Sequence, residues 1–252
     1  MHKDSNKATF LFSSVMVIVI AIMLSVAAIV LGPYQARNTR IEKMENILSS
    51  VGINSTSDDA EKSFSKFITG QIVLNTKGEP VTGGTAAFDI DLKKELDKAK
   101  TGNQDKELFP LFVCEKENKT FYIIPVRGKG LWGPIWGFIA LEEDMNTVNG
   151  VSFGHKSETP GLGAEIETGR FQEKFKGKKI LDNEGNFVSV KVIKGSTGST
   201  NPHGVDAVSG ATITSDGVSE MLQRTLSNYI PYFKRINTRT SEYRTKYQNN
   251  EQ

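Results

Sequence analysis

Residues 10–31, FLFSSVMVIVIAIMLSVAAIVL, make a run of 22 residues without a charge, and no other stretch constrains the chain so strongly. As a helix this run spans about 33 Å at about 1.5 Å per residue, enough to cross the hydrocarbon core of a bilayer. Gly32 and Pro33 follow, then Tyr34 at the position of a membrane interface, so the expected transmembrane helix is 10–32 and ends at the Gly-Pro pair. A cleaved signal peptide is the other reading, with Ser25 and Ala27 as the small residues before the cut. The apolar run is long for a signal sequence, which favours an uncleaved anchor. Lys3 and Lys7 precede the run while Arg37, Arg40 and Lys43 follow it, so the flanking charges leave the orientation open.

The rest of the 252 residues has the composition of a globular protein, with 38% hydrophobic and 24% charged residues over the whole chain. A net charge of +2 gives no electrostatic reason for a nucleic-acid partner. The single cysteine, Cys114, excludes an intrachain disulfide and any iron–sulfur cluster held by this chain alone. The three histidines (His2, His155 and His203) lie far apart and form no zinc pattern, so no metal site is expected.

Beyond a short N-terminus expected on the cytoplasmic side (1–9) and the span (10–32), residues 33–233 read as one α+β domain and 234–252 as a polar, weakly basic tail. Residues 35–50 have Ile41, Met44, Ile47 and Leu48 at helical spacing, continued by Val51, with Gly52 as the stop. A second short helix is expected at 58–68, with Ser57 as a cap and Phe64, Phe67 and Ile68 facing inward. Strand-like runs follow at 71–74, 111–114, 121–126, 135–141, 148–153 and 188–193, mostly separated by Gly, Pro or Asn turns. A final helix is expected from Asp216 to about Ile230, broken by Pro231. The fold class is thus a mostly antiparallel sheet flanked by helices on a membrane stalk.

The stretch most informative about chemistry is 206–215, DAVSGATITS, just ahead of that helix. Ser209, Gly210 and Ala211 are small and let the backbone approach a ligand closely. Thr212, Thr214 and Ser215 place hydroxyls and amides at a helix N-terminus, which attracts a phosphate through its unpaired N–H groups and its dipole. A Ser/Thr-rich loop in which Thr214 or Ser215 merely caps the helix accounts for the same residues.

VDAVSGATITS resembles the flavinylation motif, roughly Asp-x-x-Ser/Thr-Gly-Ala-Thr-x-Thr, of the bacterial covalent FMN-binding domains. The resemblance implies FMN joined through its phosphate to the last threonine, Thr214, by a flavin transferase that consumes FAD. Asp206, Ser209, Gly210, Ala211 and Thr212 would surround that linkage. The blocks GKGLWGPIWGFIALEEDMNTV (128–148) and HKSETPGLGAEIE (155–167), with the single span and the helix at 35–53, resemble the single-span, FMN-carrying subunit of the bacterial sodium-translocating NADH:quinone oxidoreductases. Residues 75–107 and the tail look less like that family. The family implies an electron carrier among the other subunits of a quinone-reducing sodium pump, with its flavin domain on the periplasmic side of the bacterial inner membrane. Two other readings use the same motif: the flavin subunit of the related ferredoxin-linked (Rnf-type) complex, and an anchored flavin-binding module without a redox role.

Two further segments bear on the flavin. Residues 128–133, GKGLWG, match the dinucleotide pattern G-x-G-x-x-G, but Pro134 and a strand-like run follow where that fingerprint needs a helix. A tight turn between strands fits better, placing Trp132 against the flavin or in the core. In ETPGLG (158–163) two glycines and a proline fix a bend around Leu162. Gly161, Leu162 and Gly163 can lie along the isoalloxazine ring. Glu158 or Thr159 either bonds the ring's polar edge or caps a short turn at Ala164. His155 has no acid and nucleophile beside it and reads as structural.

Overall fold

The computed structural model describes residues 4–195 and 198–237. The chain divides into two units, Met1–Lys43 and Met44–Gln252. The first is helix: α1 runs Asp4–Ser50, one helix long and apolar enough to cross a membrane, with Pro33 inside it. The sequence places the end of that helix at Gly32–Pro33, and the structure does not. Proline removes one backbone donor, but its φ is already helical, so the apolar run and the amphipathic stretch join through it.

In the second unit, Met44, Ile47, Leu48 and Val51 are buried, on the stripe that the periodicity marks. Helix α2 is Ala60–Phe67. Ser57 does not cap it but donates to Glu45 Oε1 at 3.0 Å, and Asp59 holds the N-cap position. Phe64 and Ile68 are buried as expected, Phe67 is only half-buried, and Ile68 already begins a strand.

Five strands, β1 (Ile68–Leu74), β2 (Phe109–Lys116), β3 (Lys119–Lys129), β4 (Pro134–Leu141) and β5 (Val148–His155), form one antiparallel sheet in sequence order. The β2–β3 hairpin turns on Glu117 and Asn118, both at positive φ (54° and 60°), the conformation that matches strand twist in two-residue turns. Between β1 and β2, where the sequence carries no clear signal, lies α3 (Leu92–Lys100), N-capped by Asp91, whose carboxylate accepts from Lys93 N at 3.0 Å.

After β5 come a short 3₁₀ turn (Gly163–Glu167) and the one-turn helix α4 (Gly169–Gln172). The strand expected over 188–193 shortens to β6 (Lys191–Ile193), because Ser189 sits at φ 62° and interrupts extended backbone. It pairs in parallel with β7 (Gly204–Asp206), a three-residue strand too short to show as a pattern.

The last long helix, α5, is Thr212–Ser227, so it opens four residues earlier than expected and closes before Ile230. Pro231 does not break it. Residues 230–237 are helical again with Pro231 in their first turn, where a missing N–H removes no helix bond. Lys234 belongs to that helix, and the rest of the expected polar tail, 238–252, lies outside the described residues. Helix α5 buries Val218, Met221, Leu222 and Leu226 against the sheet, whose inner face supplies Leu111, Ile124, Val126 and Ile139. Its approach to β3 depends on two glycines. A Cβ on Gly128 would stand 2.7 Å from Met221 Cβ, and one on Gly217 would overlap Lys129 O. Close packing there carries the first turn of α5 to the β3–β4 turn.

Candidate functional site

Three segments meet at the start of α5. The first is the β3–β4 turn at 130–133, closed by Gly130 N donating to Gly133 O at 2.8 Å. The G-x-G-x-x-G stretch is therefore a strand-to-strand turn with no helix behind it. The second is the loop at 158–163, where Thr159 O accepts from Leu162 N and Ala164 N, both at 3.1 Å. Position 162 is the N-cap of the following 3₁₀ turn, with no side-chain cap bond, so neither Glu158 nor Thr159 caps it. The third is 210–214, where Gly210 takes φ 77°, a left-handed conformation that glycine adopts without steric penalty.

Thr214 stands in the first turn of α5 rather than ahead of it. The N-cap is Ala211, without a side-chain cap bond, so neither Thr214 nor Ser215 caps the helix. Thr214 Oγ1 donates to Glu158 Oε2 at 2.7 Å, and both side chains are buried. Glu158 Oε1 accepts the Trp132 amide at 2.8 Å. A Cβ on Gly130 would stand 2.5 Å from Oε1; one on Gly163 would overlap Oε2 and stand 2.8 Å from Thr214 Oγ1. The carboxylate thus occupies a slot that two glycines keep open. Burial pushes the Glu158 carboxyl up, but hydrogen bonds from Thr214 and from the backbone of Trp132, Gly133 and Leu131 outweigh it and hold the group below the usual carboxylate range. His155 serves the loop, as its Nδ1 accepts from Glu158 N at 3.2 Å and its Nε2 lies 3.3 Å from Glu167.

Glu158, Thr159, Leu162, Gly163, Gly210, Ala211, Thr212 and Thr214 line one cavity of about 210 Å³, together with Leu131 and Ile213. Sequence reasoning missed those last two, and also Gly130, for which the glycine spacing is the only signal. Among the described residues no lysine or arginine lines the cavity, so the dipole at the open N-terminus of α5 is what favours an anion there beside the Glu158 carboxylate. Gly161 and Ser209 line a neighbouring cavity of about 340 Å³, with Arg170 and Lys174. Asp206 lies apart from both linings, its Oδ1 accepting from Gly198 N at 2.8 Å, and so it holds the preceding loop. The Trp132 side chain is 66% exposed, which rules out a core role, and only its amide reaches Glu158. A larger cavity, about 780 Å³ between α3, β3 and α5, takes in Gly128, Lys129 and Gly133 but none of residues 206–215, so the small cavity at Thr214 is the candidate site.

The components of a phosphate-linked cofactor site are all present: an uncapped helix N-terminus, a hydroxyl in its first turn, and small residues at the wall. Comparison with known proteins identifies the cofactor class as FMN. Residues 130–227 match the family model described as FMN-binding domain. A Na(+)-translocating NADH-quinone reductase subunit of Vibrio anguillarum is 34% identical over 228 residues, covering 86% of this chain and 89% of that protein. The crystal structure of the corresponding reductase subunit from Parabacteroides distasonis superposes with a TM-score of 0.72 at 40% identity, covering 81% of this chain and 96% of that one. That of Shewanella oneidensis NqrC superposes with a TM-score of 0.65 at 26% identity, covering 77% and 97%. The chain belongs to the NqrC family, the FMN-binding subunit of the Na(+)-translocating NADH-quinone reductases, which are oxidoreductase complexes.

Proposed function

We propose that this chain carries FMN covalently, as a phosphoester on Thr214, and relays electrons between other subunits of the reductase. The observation that carries the reading is the position of Thr214, a hydroxyl in the first turn of α5 that lines a cavity at an uncapped helix N-terminus. The amides of such a turn favour the single negative charge that a phosphodiester keeps at neutral pH. The cavity's 210 Å³ falls below the range of about 300–1,000 Å³ that encloses a whole small-molecule ligand. It suits the phosphate end of the cofactor, which leaves the ring to the exposed apolar rim of Leu131, Trp132, Leu162 and Ile213. When bound, FMN supplies the redox chemistry, and the protein supplies placement and charge. Thr214 and the amides of α5 would hold the linkage, Glu158 accepts from the Thr214 hydroxyl until the linkage forms, Gly210 and Gly163 keep the wall thin, and the rim residues would cover the ring.

The attachment is tested on the full chain expressed with a flavin transferase. A flavin-fluorescent band should survive a denaturing gel, mass spectrometry should place the mass on the peptide with Thr214, and Thr214→Ala should abolish both while the domain still melts cooperatively. A fluorescent Thr214→Ala band, or the mass on Thr212, would overturn the assignment.

The long apolar α1 supports an uncleaved single-pass anchor, and the family resemblance is what supports placing 33–233, as the flavin domain, on the periplasmic face of the inner membrane. Alkaline carbonate should leave the chain in the membrane with its N-terminus intact, and protease added to the outside of spheroplasts should digest the flavin domain. A start after Ala27, or a protected domain, would refute the anchor or the orientation.

A further inference from the structure

Thr214 is 1% exposed and Glu158 is 5% exposed, yet the two meet through a hydroxyl-to-carboxylate hydrogen bond of 2.7 Å. Burying a carboxylate is unfavourable unless its oxygens are bonded, and here both are: one by the Trp132 amide, the other by the Thr214 hydroxyl. Gly130 and Gly163 leave the carboxylate one place to stand, since a Cβ on either would run into it. The contact has a limited lifetime. Once Thr214 Oγ1 is esterified it has no proton to donate, so the bond belongs to the chain before loading. A threonine hydroxyl is a weak nucleophile without an adjacent base, and the group in contact with this one is an ionised carboxylate.

Resting on the reading that Thr214 carries FMN, we propose that Glu158 is the general base for the loading of its own chain. Glu158 Oε2 takes the Thr214 hydroxyl proton as Oγ1 attacks the flavin-side phosphorus of a flavin dinucleotide presented by the transferase. The Oγ1–P bond forms and the bridging P–O bond of the pyrophosphate breaks. Adenosine monophosphate leaves with the electron pair of the broken bond. The proton passes from Glu158 to solvent, and nothing is oxidised or reduced. The acceptor chain thereby brings its own base, and the transferase needs only to hold and polarise the dinucleotide.

The test uses the full chain in detergent, purified flavin transferase and FAD, with initial rates read from in-gel flavin fluorescence and from release of adenosine monophosphate. Glu158→Gln should load about 100-fold more slowly than wild type, within the span ascribed to general base catalysis. Its half-saturating concentration as acceptor should be unchanged, and Glu158→Asp should recover part of the rate. From about pH 6 to about pH 9 the wild-type carboxylate is fully ionised, whereas Glu158→Gln gains rate as hydroxide replaces the missing base. The ratio of the two rates should therefore fall as pH rises, while a merely structural role would give a ratio independent of pH. Flavin on Thr214 with Glu158→Gln loading at the wild-type rate, or a pH-independent ratio of the two rates, would overturn this proposal alone. No flavin on wild-type Thr214 would overturn the attachment reading and this proposal with it. If Glu158→Gln does not fold, Glu158→Asp decides, and a wild-type rate from it sinks the idea.

Discussion

The inner end of the site and its rim are built on opposite terms. At the inner end, Thr214, Glu158 and the Trp132 amide form a buried, fully bonded chain, and the glycines beside it leave no room for a methyl group against the carboxylate. At the rim, Leu131, Trp132, Leu162 and Ile213 are 48%, 66%, 40% and 57% exposed. Buried polar groups must find their partners within the chain, because an unpaired one costs about 1–3 kcal/mol. Apolar groups at a rim carry no such demand, and an attached planar ring or a neighbouring subunit can cover them. The inner end therefore fixes where a bond forms, and the rim decides how the attached group is held. Substitutions should separate the two.

The largest effect is expected from Gly163→Ala. The backbone there is not left-handed, so the new methyl meets no conformational bar, only the Glu158 carboxylate and Thr214 Oγ1. Because Glu158 is held at its other oxygen by the Trp132 amide, moving it away breaks a hydrogen bond rather than turning a free side chain. Overpacking of this kind costs about 1–3 kcal/mol, which in a domain of this size lowers Tm by several degrees. Covalent loading should drop steeply in the same protein, since Thr214 loses its carboxylate contact. A Gly163→Ala chain with wild-type melting and wild-type flavin would show that the inner end yields as readily as the rim, and the contrast would collapse.

Much of this architecture is legible in the sequence. Strands β2 to β5 announce themselves because each is an apolar, β-branched or aromatic run bounded by turn residues. The motif and the two glycine-rich turns mark their own positions in the same way. What a sequence does not display is contact at long separation. Residues 130–132, 158–163 and 214 meet because α5 closes onto β3 at Gly128 and Gly217, and neither glycine looks different from a turn glycine in the string. The start of α5 is hidden for a local reason. Thr212, Ile213 and Thr214 are β-branched and weak helix formers, the N-cap is Ala211 rather than a preferred cap, and Ser215 looks like the better one. Strand β6 is shorter than its apolar run because nothing about Ser189 advertises its positive φ.

Leu162→Ala tests the rim, where the expected effect is smallest. Leu162 packs on the loop that carries the motif, since a Cβ on Gly210 would stand 2.8 Å from Leu162 Cδ2. At 40% exposure it forgoes part of the roughly 1.5–3 kcal/mol of a fully buried leucine, so its loss should destabilise the domain by about 1 kcal/mol. The Thr214–Glu158 bond does not involve Leu162, so loading should proceed and the denaturing gel should show full flavin fluorescence. A ring covered by this side chain in both redox states would lose a differential contact of no more than about 1 kcal/mol, or about 20 mV for a two-electron couple. The measurement is therefore a redox titration of the loaded subunit beside quinone reduction by the assembled complex. A shifted potential with slower turnover places Leu162 against the ring. Wild-type values for both would remove it from the rim's function and leave Leu131, Trp132 and Ile213 to hold the ring. Loss of the fluorescent band in a folded Leu162→Ala chain would mean that the rim guides attachment as well, and the division between the two ends would have to be redrawn.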